Sequence, residues 1–168
     1  CCVRSPGVNG IQAELVRRFD ADEPIVDLLH DRADFIDHLL TACWSHFLGA
    51  EAERLCLVAV GGYGRRELHP HSDIDLLLLA RQSLDDNPAC TDGLAALLQF
   101  LWDIGLPPGQ SVRTVEQCVD EASRDQTVIT NLIEARLVCG NPALFQQLQD
   151  FLSPQHLWSA PAFFAAKV

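Results

Sequence analysis

Asp73 and Asp75 flank Ile74 at the entry to an apolar run that continues to Ala80. In an extended strand successive side chains point to opposite faces, so this spacing aims both carboxylates the same way. Carboxylate oxygens are hard donors. A same-face pair suits Mg²⁺, with Mn²⁺ as the alternative, because Mg²⁺ takes one or two carboxylates and fills its shell with water and substrate phosphate. A two-metal site holds its ions ~3.5–4 Å apart, within reach of one shared pair. Upstream, Gly61, Gly62 and Gly64 follow a second apolar run, residues 55–60. Glycines there allow positive φ and close backbone approach, so successive N–H groups can converge on a phosphate. Asp-x-Asp alone is commonly a solvated strand end, and Gly-Gly alone is commonly a turn. Strand, glycine turn and Asp-x-Asp entering a second strand together point to metal-assisted nucleotidyl transfer, with in-line attack on the α-phosphorus.

Other residues near this constellation have two readings each. Arg65 and Arg113 are candidate clamps on a triphosphate, since guanidinium forks match phosphate oxygens, or ordinary surface arginines. Ser72 either contacts phosphate or forms the turn next to Pro70. Tyr63, the only tyrosine, stacks on a base or covers the turn. Glu134 and Arg136 are expected two apart on one helix, where they do not face each other.

The positioning elements follow from periodicity. Apolar residues recur at helical spacing over 25–47, with Gly49 as the stop. His30, His38 and His46 fall on this helix, where an exposed stripe is favoured over a metal site. Residues 89–102 form a second helix, Pro107, Pro108 and Gly109 force a turn, and 111–114 form a third strand. Helices are expected at 115–123, 126–138 and 143–151.

The stretches Gly61-Gly-Tyr-Gly-Arg65 and His69-Pro-His-Ser-Asp-Ile-Asp75 resemble the signature of the DNA polymerase β nucleotidyltransferase superfamily. More narrowly they resemble the protein-PII uridylyltransferase/uridylyl-removing enzymes of bacterial nitrogen regulation. Trp102-Asp-Ile-Gly-Leu106, Ser111-Val-Arg-Thr114 and Leu132-Ile-Glu-Ala-Arg-Leu137 support the resemblance, which spans most of residues 25–141. It implies an α+β, polymerase β-like nucleotidyltransferase fold, a small mixed sheet flanked by helices. It also implies UTP as donor and a tyrosine of the PII signalling protein as acceptor. The alternatives are a related transferase with another acceptor and a nucleotide-sensing module without turnover. Two positions depart from the pattern: Arg66 where glycine is expected, and Gln110 where histidine is usual. The superfamily draws a third carboxylate from a later strand, but residues 110–114 contain none. Glu116 and Asp103 are the substitutes at hand, and the general base is unassigned.

The formal charge of −11 over 168 residues argues against a generic nucleic-acid binder, which needs clustered Lys and Arg. Seven scattered cysteines without C-x-x-C argue against a disulfide framework or zinc site and for a reducing cytoplasm. No apolar run approaches membrane-spanning length. The expected organisation is an extension at 1–24, a nucleotidyltransferase domain at 25–151, and a continuing helical region from 152. Cys1 at the start, with no methionine anywhere, suggests a piece of a longer protein.

Overall fold

The two apolar runs on either side of the glycine turn become the central strands of a four-stranded sheet. A computed structural model of the chain describes residues 8–69 and 72–153. β1 (Leu55–Ala59) and β2 (Ile74–Ala80) are antiparallel, with Ala59 opposite Leu76. β3 (Pro108–Thr114) runs parallel to β2 on one edge, and β4 (Arg136–Gly140) antiparallel to β1 on the other, in the order β3-β2-β1-β4. This is the small mixed sheet of an α+β chain, as expected. The register brings the end of β1 and the starts of β2, β3 and β4 to one rim of the sheet.

Helices cover both faces. They are α1 (Val8–Asp20), α2 (Ile25–Leu48), the single turn α3 (Gly61–Gly64), α4 (Pro88–Asp103), α5 (Val115–Arg124), α6 (Gln126–Ile133) and α7 (Pro142–Leu152). Leu55, Leu57, Ile74, Leu76 and Leu78 pack in one core with α2 and α4. Cys56, Val58, Leu77 and Leu79, one step out of phase, pack in another with α5, α6 and α7. Coverage on both sides explains why β1 and β2 read as unbroken apolar runs rather than alternating ones. Each leucine so enclosed contributes about 1.5–3 kcal/mol relative to an exposed one.

Local chemistry sets the element ends. α2 stops at Gly49, which takes a φ of +50°. Thr114 closes β3 and opens α5 with a capping box: its hydroxyl accepts from the Gln117 N–H, and the Gln117 side chain accepts from the Thr114 N–H. Arg18 ties α1 to α2 through Asp31 at 2.7 Å, so part of the expected extension is folded onto the domain.

Two expectations are corrected. The helix expected at 126–138 ends at Ile133, and Arg136–Gly140 is a strand. The N–H and C=O groups on the free side of β1 require partners, and β4 supplies them. β3 begins earlier than expected because Pro108, with no N–H to donate, is tolerated as the first residue of an edge strand. The onward region expected from 152 lies, from 154, outside the described residues, as do 1–7 with Cys1 and Cys2.

No helix among the described residues is long and apolar enough to cross a membrane. The five described cysteines are free, and burial pushes the Cys56 thiol up to about 12, so it behaves as a small hydrophobe.

Candidate active site

Asp75 is the second residue of β2 and falls on the strand face it shares with Leu77 and Leu79, towards α5, α6 and α7. Its carboxylate rests between two glycines. A Cβ on Gly61 would lie 3.1 Å from Asp75 Oδ2, and one on Gly109 would lie 2.6 Å from Oδ1. Gly61 takes a φ of +60°, and the adjacent Val60 N–H donates to the Asp75 carbonyl at 3.1 Å. The glycine turn and the carboxylate are therefore fixed against each other. Partial burial, and then the charge of Asp73, raise the Asp75 carboxyl above the usual carboxylate range. Asp73 and Ser72 are exposed just before β2, and the Ser72 N–H donates to the His69 carbonyl at 3.0 Å. Pro70 and His71 of the same motif lie outside the described residues.

This donor set fits Mg²⁺. Two carboxylates close enough for one to raise the other's affinity for a proton are relieved by a cation, and phosphate oxygens complete its shell. Among the described residues no group of three or more His, Cys, Asp or Glu is placed to hold a metal, so no third protein carboxylate joins the pair. Glu116 lies beyond Thr114, at the rim opposite Asp75. Asp103 ends α4 and accepts from Gln99 Nε2 at 2.9 Å.

The turn itself is one helical turn, α3, in which Gly64 and Arg65 donate to Val60 and Gly61 carbonyls. The N–H groups of Gly61, Gly62 and Tyr63 have no backbone acceptor among the described residues. Of the three glycines only Gly61 has positive φ. Gly62 is conformationally ordinary. Gly64 is required for space, since a Cβ there would meet the Glu134 carbonyl at 2.7 Å and the Ala59 carbonyl at 2.9 Å. Arg66 has a φ of +62°, the left-handed conformation that glycine adopts freely, which explains the glycine expected at this position.

Tyr63 is 1% exposed and so cannot stack on a base. Its hydroxyl donates to Asp37 Oδ1 at 2.5 Å, and Arg136 donates to Asp37 Oδ2 at 2.5 Å and to the Tyr63 carbonyl at 3.3 Å. The Arg136 guanidinium also lies 5.3 Å from the Tyr63 ring centroid. Arg65 donates to Glu67 at 2.9 Å and to Glu134 at 2.7 Å, while Arg66 pairs with Asp34. Glu134 and Arg136 thus clasp the turn from the α6–β4 junction, a role the helical reading of this segment concealed. Their alternate spacing before an apolar run ending in Gly140 was the available signal.

Gly61, Gly62, Arg65, Ser72, Asp73 and Asp75 gather at one rim. Arg113 does not join them. It stands opposite Leu79, four rungs from the Asp75–Gly109 pair and so about 13 Å along the strand, and it is ion-paired with Glu121. A cleft of about 350 Å³ opens beside Asp75 and Gly61, with Gln110, Ser111 and Asn131 on its other walls. Asn131 carried no signal in the sequence.

No family model matches the chain. It is 46% identical over 156 residues to a bifunctional uridylyltransferase/uridylyl-removing enzyme of Methylococcus capsulatus, covering 93% of this chain and 18% of that protein. Proteins of the same description from Pseudomonas putida and Pseudomonas fluorescens are each 47% identical, over 153 and 150 residues. Those matches cover 91% and 89% of this chain, and 17% and 16% of the relatives. The chain therefore spans under a fifth of the length of the curated relatives it matches. Over about nine-tenths of its length, then, the chain is the counterpart of one segment of the bifunctional uridylyltransferase/uridylyl-removing enzymes.

Proposed function

We propose that this chain is a nucleotidyltransferase unit that binds UTP with Mg²⁺ or Mn²⁺ and passes UMP to a tyrosine hydroxyl of the PII signalling protein. The observation that carries this reading is Asp75 seated against the positive-φ Gly61, a carboxylate touching a glycine turn. The N–H groups of Gly61, Gly62 and Tyr63, without a backbone acceptor among the described residues, are available to phosphate oxygens. Asp73 and Asp75 are the residues that would hold the cation, and Mg²⁺ bound there would supply positive charge to offset charge developing on the phosphate oxygens. Positioning then does most of the work: the acceptor oxygen bonds to the α-phosphorus as the bond to the β-phosphate breaks and pyrophosphate leaves. Transfer of a uridylyl group rests on the relatives' description, and UTP as donor and PII as acceptor rest on the motif resemblance.

One observation favours a second reading. With no third carboxylate beside the pair among the described residues, the acceptor's proton has no assigned base, as in a module that senses nucleotide without turnover. Incubation with α-labelled UTP, Mg²⁺ and purified PII separates the two. Transfer of label to a PII tyrosine, reduced about a hundredfold or more in Asp75→Asn, supports the enzyme. Wild-type turnover in that variant would reject the site, and nucleotide binding without transfer would favour the sensor.

A further inference from the structure

β3 is the edge strand that adjoins the strand carrying Asp75, whereas β4, the other edge, is separated from β2 by β1. Which backbone groups of β3 face outward follows from its neighbours. The Asp75 carbonyl accepts from Val60 on the β1 side, so Ile74 and Leu76 turn towards β3 and bond Gly109 between them. Gln110 and Val112, one step out of phase with Gly109, therefore turn their N–H and C=O groups away from the sheet. The Thr114 N–H is in phase with theirs and donates to the Gln117 side chain, off the sheet, as this alternation requires. Among the described residues no backbone group bonds Gln110 or Val112 on that outer side. The β2–β3 register runs without a shift from Ile74 to Ala80, both outward residues are uncharged, and Val112 is 45% exposed. A regular, uncharged and uncovered edge is a template for one more strand.

Gly109 gives such a strand access to the carboxylate. A residue of the added strand opposite Gly109 directs its side chain to the face that Asp75 shares, and Gly109 has no side chain to stand between them. Opposed Cβ positions lie about 4.5–5.5 Å apart, and Asp75 Oδ1 lies 2.6 Å from where a Gly109 Cβ would be. The carboxylate is then roughly 7–8 Å from the Cβ of the added residue. A phenol, with its oxygen on the far side of an aromatic ring, covers that span to within a hydrogen bond. A serine or threonine oxygen, one bond from Cβ, falls far short. The bare backbone of Gly109 also offers the ring a surface to pack on, as edge glycines do for cross-strand aromatics.

We propose that the acceptor is held as an added β-strand on the outer edge of β3, with its tyrosine opposite Gly109 and lying across it to Asp75. The occupant is an extended segment of a protein, bound through its main chain and selected for tyrosine by reach. The inference rests on the transferase reading above, and adds to it where the acceptor docks and why its hydroxyl is a phenol.

Hydrogen exchange and steady-state transfer test this, using the full chain, α-labelled UTP, Mg²⁺ and purified PII. With saturating PII the amides of Gln110 and Val112 should exchange about tenfold more slowly or better, since an added strand takes up their free N–H groups. Val112→Pro deletes one outward N–H and leaves the bonds to β2 in place, a change that an edge strand tolerates. It should raise the KM for PII about tenfold, the worth of one or two main-chain hydrogen bonds, while kcat at saturating PII, UTP affinity and thermal midpoint stay as in wild type. Unaltered exchange at Gln110 and Val112 overturns the inference, as does a wild-type KM in folded Val112→Pro; either result leaves the transferase reading standing. If Val112→Pro does not fold, the exchange measurement on the wild-type chain decides alone. A wild-type chain that passes no label to PII rejects the transferase reading, and the inference falls with it.

Discussion

Gly109 stands opposite Asp75 in the parallel β2–β3 pair, and its missing side chain is the space the carboxylate occupies. Any Cβ there would meet Asp75 Oδ1 at 2.6 Å. That atom is the tip of a rotatable side chain, so the collision is relieved by turning the carboxylate aside rather than by unfolding. Gly109 does not have positive φ, so alanine is compatible with the backbone and gains about 0.4–1 kcal/mol by restricting the unfolded chain. We expect Gly109→Ala to keep or slightly raise the thermal midpoint while transfer falls about a hundredfold, the scale of an ångström-sized misplacement. A parallel melting curve and labelled-UTP assay would check this, and normal transfer would show that the Asp75 rotamer is unimportant. The sequence marked Gly109 only as a turn former after two prolines. Which side chain lies opposite it depends on strand pairing, which local periodicity does not carry.

At the scale of elements, the glycine turn is too short to hold its own shape, and three other elements fix it. α2 contributes Asp37, the α6–β4 junction contributes Glu134 and Arg136, and β1 leads into it. Asp37→Ala would leave the Tyr63 hydroxyl and the Arg136 guanidinium without their shared acceptor in a part-buried site. The expected loss is about 2–3 kcal/mol, below that for a fully buried pair because Asp37 and Arg136 keep some contact with water. Urea denaturation would measure it, and Asp37→Asn, which retains one carbonyl acceptor, should recover part of it. A loss under about 0.5 kcal/mol, the scale of an ordinary surface substitution, would mean the clasp does not hold the turn. Sequence alone does not choose between Tyr63 as a base platform and Tyr63 as cover for the turn, for the same reason that it does not show the clasp. Asp37 is 26 residues from Tyr63 and 99 from Arg136, beyond the reach of any window along the chain.

For the molecule as a whole, a ligand that binds only the folded chain adds its binding free energy to folding. At a hundred times its dissociation constant this amounts to about 2.7 kcal/mol, or roughly 5–10 °C for a domain of this size. We therefore expect Mg²⁺ and UTP together to raise the melting temperature by that amount, EDTA to remove the rise, and Asp75→Asn never to show it. UTP raising the midpoint equally in EDTA would place the nucleotide away from the carboxylates. At the rim Arg65 and Arg66 are both taken up in ion pairs with Glu67, Glu134 and Asp34.

What the sequence determined by itself was local: two apolar runs long enough for buried strands, a glycine-rich turn between them, and carboxylates spaced for one strand face. These depend on side-chain period and backbone freedom, properties of neighbours in the chain. The helices at Ile25–Leu48 and Pro88–Asp103 were legible for the same reason, since an apolar stripe at helical spacing is itself the packing surface. Tertiary structure alone decided that Arg136–Gly140 would leave the helical pattern to pair with β1, that Arg113 would stand rungs away from Asp75, and that Gly109 and Asn131 would line the cleft. Each of those outcomes is set by the need of a strand edge for partners or by the register between strands, and both are satisfied by residues far away in sequence.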